Sequence, residues 1–145
     1  MKDRLIYPLL LVPCLASNLY ATEIKQKEID AFIKNKYGLE SLLEKLPIDS
    51  EASVIFKDND KDNKICVSIK NKDIQMICLE KPDFLVTLKK EYIERFKNED
   101  LCSVLKEIKK NNDYNYKRNI PIIAGFLKYF NVMISKEARY YRSCI

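Results

Sequence analysis

The sequence predicts a small single-domain α+β protein stapled by two disulfides, and three observations predict it. Apolar residues recur at helical spacing early in the chain, alternate between residues 52 and 80, then return to helical spacing. Four cysteines follow a segment laid out like an export signal. The length, 145 residues, suits one domain.

Lys2 and Arg4 give a short positive start, diluted by Asp3, and an uncharged, mostly apolar run follows over residues 5–16. Small residues then stand at Ala16, Ser17 and Ala21. This is the tripartite layout of a secretory signal peptide. The run is shorter than the ~20 residues of a membrane span, and Pro8 and Pro13 oppose a regular helix. Residues 1–21 are expected to be cleaved, after Ala21 or alternatively after Ala16, leaving residues 22–145 as one exported domain. Leu11-Val12-Pro13-Cys14 faintly resembles a bacterial lipobox, in which Cys14 would carry lipid, although Pro13 stands where a small residue is usual.

Cleavage after Ala21 removes two cations and one acid, so 24 basic and 20 acidic residues remain. Four cysteines remain as well: Cys66, Cys78, Cys102 and Cys144. An even count in a small exported chain reads as two disulfides, with three pairings open. Spacings of 12, 24 and 42 do not suit a four-cysteine zinc site, which wants close pairs.

Residues 22–37 read as a helix, with Thr22 as N-cap and Ile29, Phe32, Ile33 and Tyr37 on one face. Gly38 stands where a left-handed C-cap would end it. Leu39, Leu42, Leu43 and Leu46 make a second short stripe, closed by Pro47. A chain this small needs both faces for its core. Residues 52–56, 64–70 and 74–80 alternate and form a three-stranded antiparallel meander, with a turn at Asn71-Lys72. A two-residue loop there pairs Ile69 with Ile74, Val67 with Met76 and Ile65 with Cys78. That register makes one apolar face and leaves Cys66 on the other. Cys66 and Cys78 are then expected to staple different elements, one near Cys102 and the other near Cys144.

Beyond Pro82 the helical period returns in Phe84, Leu85, Leu88, Tyr92 and Phe96. Leu101, Cys102, Leu105 and Ile108 mark another helix, residues 111–119 a polar loop, and Pro121 opens the most apolar helix of the chain. The expected architecture is two N-terminal helices, a three-stranded meander, and three or four C-terminal helices.

Absence of histidine excludes Ser-His-Asp, Cys-His and imidazole-zinc chemistry. Two glycines leave little for a phosphate-cradling loop. The strongest local motif runs over residues 58–65, where Asp58, Asp60 and Asp62 alternate around a turn. It resembles the front half of an EF-hand calcium loop. Ile69 stands where the bidentate Glu belongs, and Asp and Asn are also ordinary turn residues. Two aromatic–basic segments form the candidate partner-binding surface: Tyr114, Tyr116, Lys117 and Arg118, then Arg139, Tyr140, Tyr141 and Arg142. Tyr and Arg are enriched at interface hot spots, and the positive charge also suits an anionic surface such as phospholipid. Carboxylate pairs (Glu91 with Glu94, Glu99 with Asp100) do not single out a catalytic acid.

The expected function is that of a periplasmic or secreted, non-enzymatic protein that binds another protein outside the cytoplasm. Inhibitors, immunity proteins and accessory subunits have this profile. The alternatives are a secreted virulence effector acting on host proteins and a His-free hydrolase using carboxylates. No nucleic acid, no membrane span and no cofactor beyond calcium is expected.

Overall fold

The computed structural model describes residues 25–58 and 63–145. Helices α1 (Gln26–Asn35) and α2 (Leu39–Lys45) precede strands β1 (Glu51–Lys57), β2 (Lys64–Lys70), β3 (Asp73–Gln75) and β4 (Phe84–Lys89). Helices α3 (Tyr92–Asn98) and α4 (Leu101–Asn111) follow, then strand β5 (Tyr114–Arg118) and helices α5 (Ile122–Met133) and α6 (Lys136–Ser143). The α+β class holds, with two N-terminal and four C-terminal helices among the described residues. The signal segment 1–21, Cys14 and Thr22 lie outside them.

Alternation in β1 and β2 produces a hairpin that pairs Val54 with Val67 and Phe56 with Ile65 on one face. The turn after β2 has positive φ at both Asn71 (52°) and Lys72 (66°). Two such residues give the twist a two-residue hairpin needs. Ile69 therefore pairs with Ile74, the register the sequence predicts. The strand then stops at Gln75, so the expected pairs of Val67 with Met76 and Ile65 with Cys78 do not form. Instead the Ser68 hydroxyl donates to the Ile77 carbonyl at 2.6 Å, and the chain doubles back over the face that carries Cys66.

That departure corrects the expected disulfides. Cys66 bonds Cys78, and Cys102 bonds Cys144, each pair with Cα atoms 5.1 Å apart. Opposite faces would have followed only from a continuous β3.

The sheet has five strands, in the order β3-β2-β1-β4-β5, where three were expected. β4 runs parallel to β1 and antiparallel to β5. Residues 84–89 are thus a strand rather than the start of a helix. Flanked on both sides, β4 carries apolar residues on both faces (Phe84, Leu85, Val86, Leu88), which periodicity does not separate from a buried helix. Residues 114–118, expected as loop, are an edge strand.

Helices α3 and α4 pack on the Val54 and Phe56 face, and Phe56, Leu88, Tyr92, Ile93, Val104 and Ile108 form the buried cluster. Each such side chain contributes roughly 1.5–3 kcal/mol by leaving water. The Tyr92 hydroxyl donates to Asp113 at 2.6 Å, so its burial leaves no polar group unmatched. Glu28 accepts from the Lys25 N–H at 2.9 Å and starts α1 at Gln26. Gly38 opens α2 at φ 68° instead of closing α1. A Cβ there would also stand 2.6 Å from Glu137 Cγ, so glycine is required twice over.

Candidate docking surface

Helix α5 is inverted. Its inward side carries Gly125 and Tyr129, both buried, with half-buried Lys128 beside them. A Cβ at Gly125 would lie 3.3 Å from Ile120 Cγ2, in the lead-in to the helix, and 3.9 Å from Phe84 Cζ on the sheet. The Tyr129 hydroxyl and Lys128 Nζ both donate to Asp83 Oδ2, at 2.5 and 2.8 Å, and Lys128 also donates to the Asp49 carbonyl. Burial works to raise the Asp83 carboxyl pKa, but hydrogen bonds from Lys128 and Tyr129 hold it below its ordinary range. Burial first, and the neighbouring carboxylate second, push the Tyr129 phenol up to about 12. A polar clasp seats this helix.

Its outward side is apolar. Ile123 (75% exposed), Leu127 (71%) and Ile122 (65%) stand in solvent, together with Phe126, Phe130, Met133 and Ile134. Ile123, Phe126, Leu127, Phe130 and Ile134 follow the i, i+3, i+4, i+7 spacing of one helix face. Isolated exposed apolar residues are ordinary, whereas a contiguous stripe marks a surface that something else covers.

The two predicted aromatic–basic segments do not merge. They lie at opposite ends of α5, a helix about 18 Å long. Tyr116 stacks on Phe84 with ring centres 6.3 Å apart, and Phe84 packs on Tyr129 at 5.1 Å, so β5 is linked to α5 through Phe84. All five residues of β5 are exposed. Arg118 pairs with Phe84 and shares its sheet face, while Lys117 pairs with Leu85 and points to the other. At the far end Arg139 donates to the Ile134 carbonyl and Arg142 to the Met133 carbonyl, at 3.0 and 2.7 Å. Cations there complement the negative end of the helix dipole.

Tyr140 and Tyr141 have a different role. Tyr140 packs edge-on against Tyr37 at 4.8 Å, and the Tyr141 hydroxyl donates to the Tyr37 carbonyl, so both fasten α6 to the turn between α1 and α2. Glu137, buried under the same turn, accepts from Lys45 at 2.7 Å and Ser41 at 3.0 Å. The Lys45 hydrogen bond is the main reason its carboxyl pKa falls to about 2.

Charge is distributed as unevenly as apolar surface. Residues 114–145 hold six basic residues and one acid, whereas the other 113 hold 20 of each. The one acid, Glu137, is the group neutralised by Lys45. Among the described residues Arg118, Lys136, Arg139 and Arg142 form no ion pair; Lys128 is spent on Asp49 and Asp83.

Of the predicted calcium residues, Asp58 lies 3.5 Å from Lys90, and Asp60 and Asp62 fall outside the described residues. No group of three or more metal-ligating side chains occurs among the described residues. The sequence marks α5 as the most apolar helix of the chain without showing which way its apolar residues face. The available signal was that its Ile and Phe positions exceed one face, while a glycine, a lysine and a tyrosine occupy the remainder.

These features define a class: a disulfide-stapled α+β domain with a helix layer on one sheet face and an outward-facing apolar helix. No protein-family model matches the chain, and no curated protein does. Two solved structures are similar over most of its length. One is the solution structure of the sterol carrier protein domain 2 of Helicoverpa armigera, 15% identical over 79% of this chain and 80% of that chain, with a TM-score of 0.42. The other is a UbiJ-SCP2 ubiquinone synthesis protein, 8% identical over 81% and 93%, with a TM-score of 0.41. Likeness this distant leaves the surface to be read from this chain's own residues.

Proposed function

We propose that the protein is an exported, non-catalytic docking module that attaches through α5 to a partner whose surface is apolar and anionic. The outward apolar stripe of α5 carries the reading. Two disulfides are the pattern of an oxidising compartment, which supports export. Among the described residues, every carboxylate with a shifted pKa (Glu28, Asp83, Glu99, Glu107, Asp113 and Glu137) is shifted down. A carboxylate hydrolase needs a general acid shifted up, and none of these six is.

The test is retention. Cells producing the wild type and a Phe126→Ser/Leu127→Ser variant are broken and fractionated into envelope and soluble material. The wild type should stay with the envelope and the variant should move to the soluble fraction. Equal distribution of the two would remove α5 as the working surface.

A second reading rests on β5. As an exposed sheet edge it would accept an extended segment of another protein by strand addition. Tyr116→Ala would then release that protein while leaving α5-dependent retention intact.

A further inference from the structure

We infer that α5 seats on an anionic phospholipid surface, with its apolar stripe at the boundary of headgroups and acyl chains and the surrounding cations on lipid phosphates. The inference rests on the reading of α5 as the docking surface and names what it docks to.

Three observations favour a lipid surface. The stripe is a ridge, with Ile123 and Leu127 the most exposed of its residues, and a ridge enters a soft plane without needing a shaped receptor. The twelve-residue helix is too short to cross a bilayer, and no described helix is long and apolar enough to do so. It has the size and exposure of a helix lying in the interface plane. Finally, the chain's entire formal charge of +5 falls in residues 114–145, the tract that contains the ridge.

The placement of the cations is specific. Arg118 stands on the Phe84 face beside the start of α5, and Lys136 opens α6 just beyond its end. Arg139 and Arg142 cap the last carbonyls next to exposed Met133 and Ile134. A guanidinium carries five N–H donors, so capping leaves each arginine with donors for phosphate oxygens. α5 contains no acid, and Glu137 is buried beneath Lys45, so nothing on the ridge repels a negative surface. A protein partner would have to supply both an apolar groove and a ring of acids; an anionic bilayer supplies both everywhere.

Sedimentation of the full disulfide-bonded protein with vesicles tests this. One set is phosphatidylcholine alone and the other contains one third phosphatidylglycerol. Binding to the anionic set should exceed binding to the neutral set by at least tenfold and should fall with added salt. Arg118→Gln/Lys136→Gln should reduce anionic binding roughly 20–30-fold, at about fivefold per cation. Phe126→Ser/Leu127→Ser should abolish binding at either composition. A Lys27→Gln/Lys34→Gln control on α1 should change it less than twofold. Equal binding to both vesicle sets would overturn the anionic assignment. A wild type that ignores both, yet is held by the envelope through α5, would overturn the lipid inference and make the partner a protein. Envelope retention that survives the α5 substitutions would overturn the docking reading itself.

Discussion

Helices α4 and α5 have nearly equal lengths, eleven and twelve residues, yet they turn opposite kinds of side chain toward the protein. α4 buries Val104 and Ile108, at 0% and 5% exposure, and sends its lysines outward. α5 buries a glycine and a tyrosine and sends its isoleucines and phenylalanines outward. Hydrophobic burial alone would rotate α5 by half a turn. The Asp83 clasp on Lys128 and Tyr129 holds it where it is. One helix closes the core, and the other is held against its own hydrophobicity.

A disulfide joins α4 to the end of α6, the helix that follows α5, and this gives the largest expected effect. Cys102 lies on α4, and Cys144 follows α6, closing a loop 42 residues long in sequence. On loop-entropy grounds its loss costs roughly 4 kcal/mol. A Cys102→Ala/Cys144→Ala variant should therefore show that drop in urea-induced unfolding. The shorter bridge between Cys66 and Cys78, with a separation of 12, should cost roughly 3 kcal/mol by the same argument. Equal losses would mean that loop length does not govern the link.

Ile108→Ala tests the conventional region, since truncating a buried isoleucine costs about 2–5 kcal/mol. A loss below about 1 kcal/mol would mean that α4 is no better packed than α5.

Much of this contrast was legible in the sequence, and its inversion was not. β1, β2 and the Asn71-Lys72 turn were readable because one face is wet or polar, so alternation survives. β4 was lost because Phe84, Leu85, Val86 and Leu88 are apolar on both sides of a central strand. β5 was lost because Tyr114–Arg118 carries no burial signal at all; β4 makes it a strand. The Cys66–Cys78 bond depended on β3 ending early, which a hydroxyl of Ser68 decides rather than any pattern. For α5 the composition was visible, but its orientation is set by Asp83 and Asp49, residues from distant parts of the chain.

A smaller effect concerns how α6 is fastened. Glu137 has a folded pKa of about 2 against an ordinary 4.5, held down chiefly by Lys45. Its contribution is complete above pH 4.5 and disappears as pH falls toward 2. The Tm of Glu137→Gln should lie several degrees below wild type at pH 7, and the two should converge near pH 2. A difference that persists at pH 2 would mean that Glu137 acts by packing against Gly38 and not by its charge.

The smallest expected change is the sharpest test of the comparison. Leu127→Ala deletes a large apolar side chain from the most apolar helix, yet that side chain is 71% exposed. Truncation of a residue already in solvent should alter stability by no more than about 0.5 kcal/mol. Set beside Ile108→Ala, the same kind of deletion should differ several-fold in its effect on unfolding. If Leu127→Ala instead costs as much as Ile108→Ala, the stripe is part of a core that the free protein already closes. If it costs nothing while vesicle binding falls, the hydrophobicity of α5 is kept for its partner and contributes nothing to the fold.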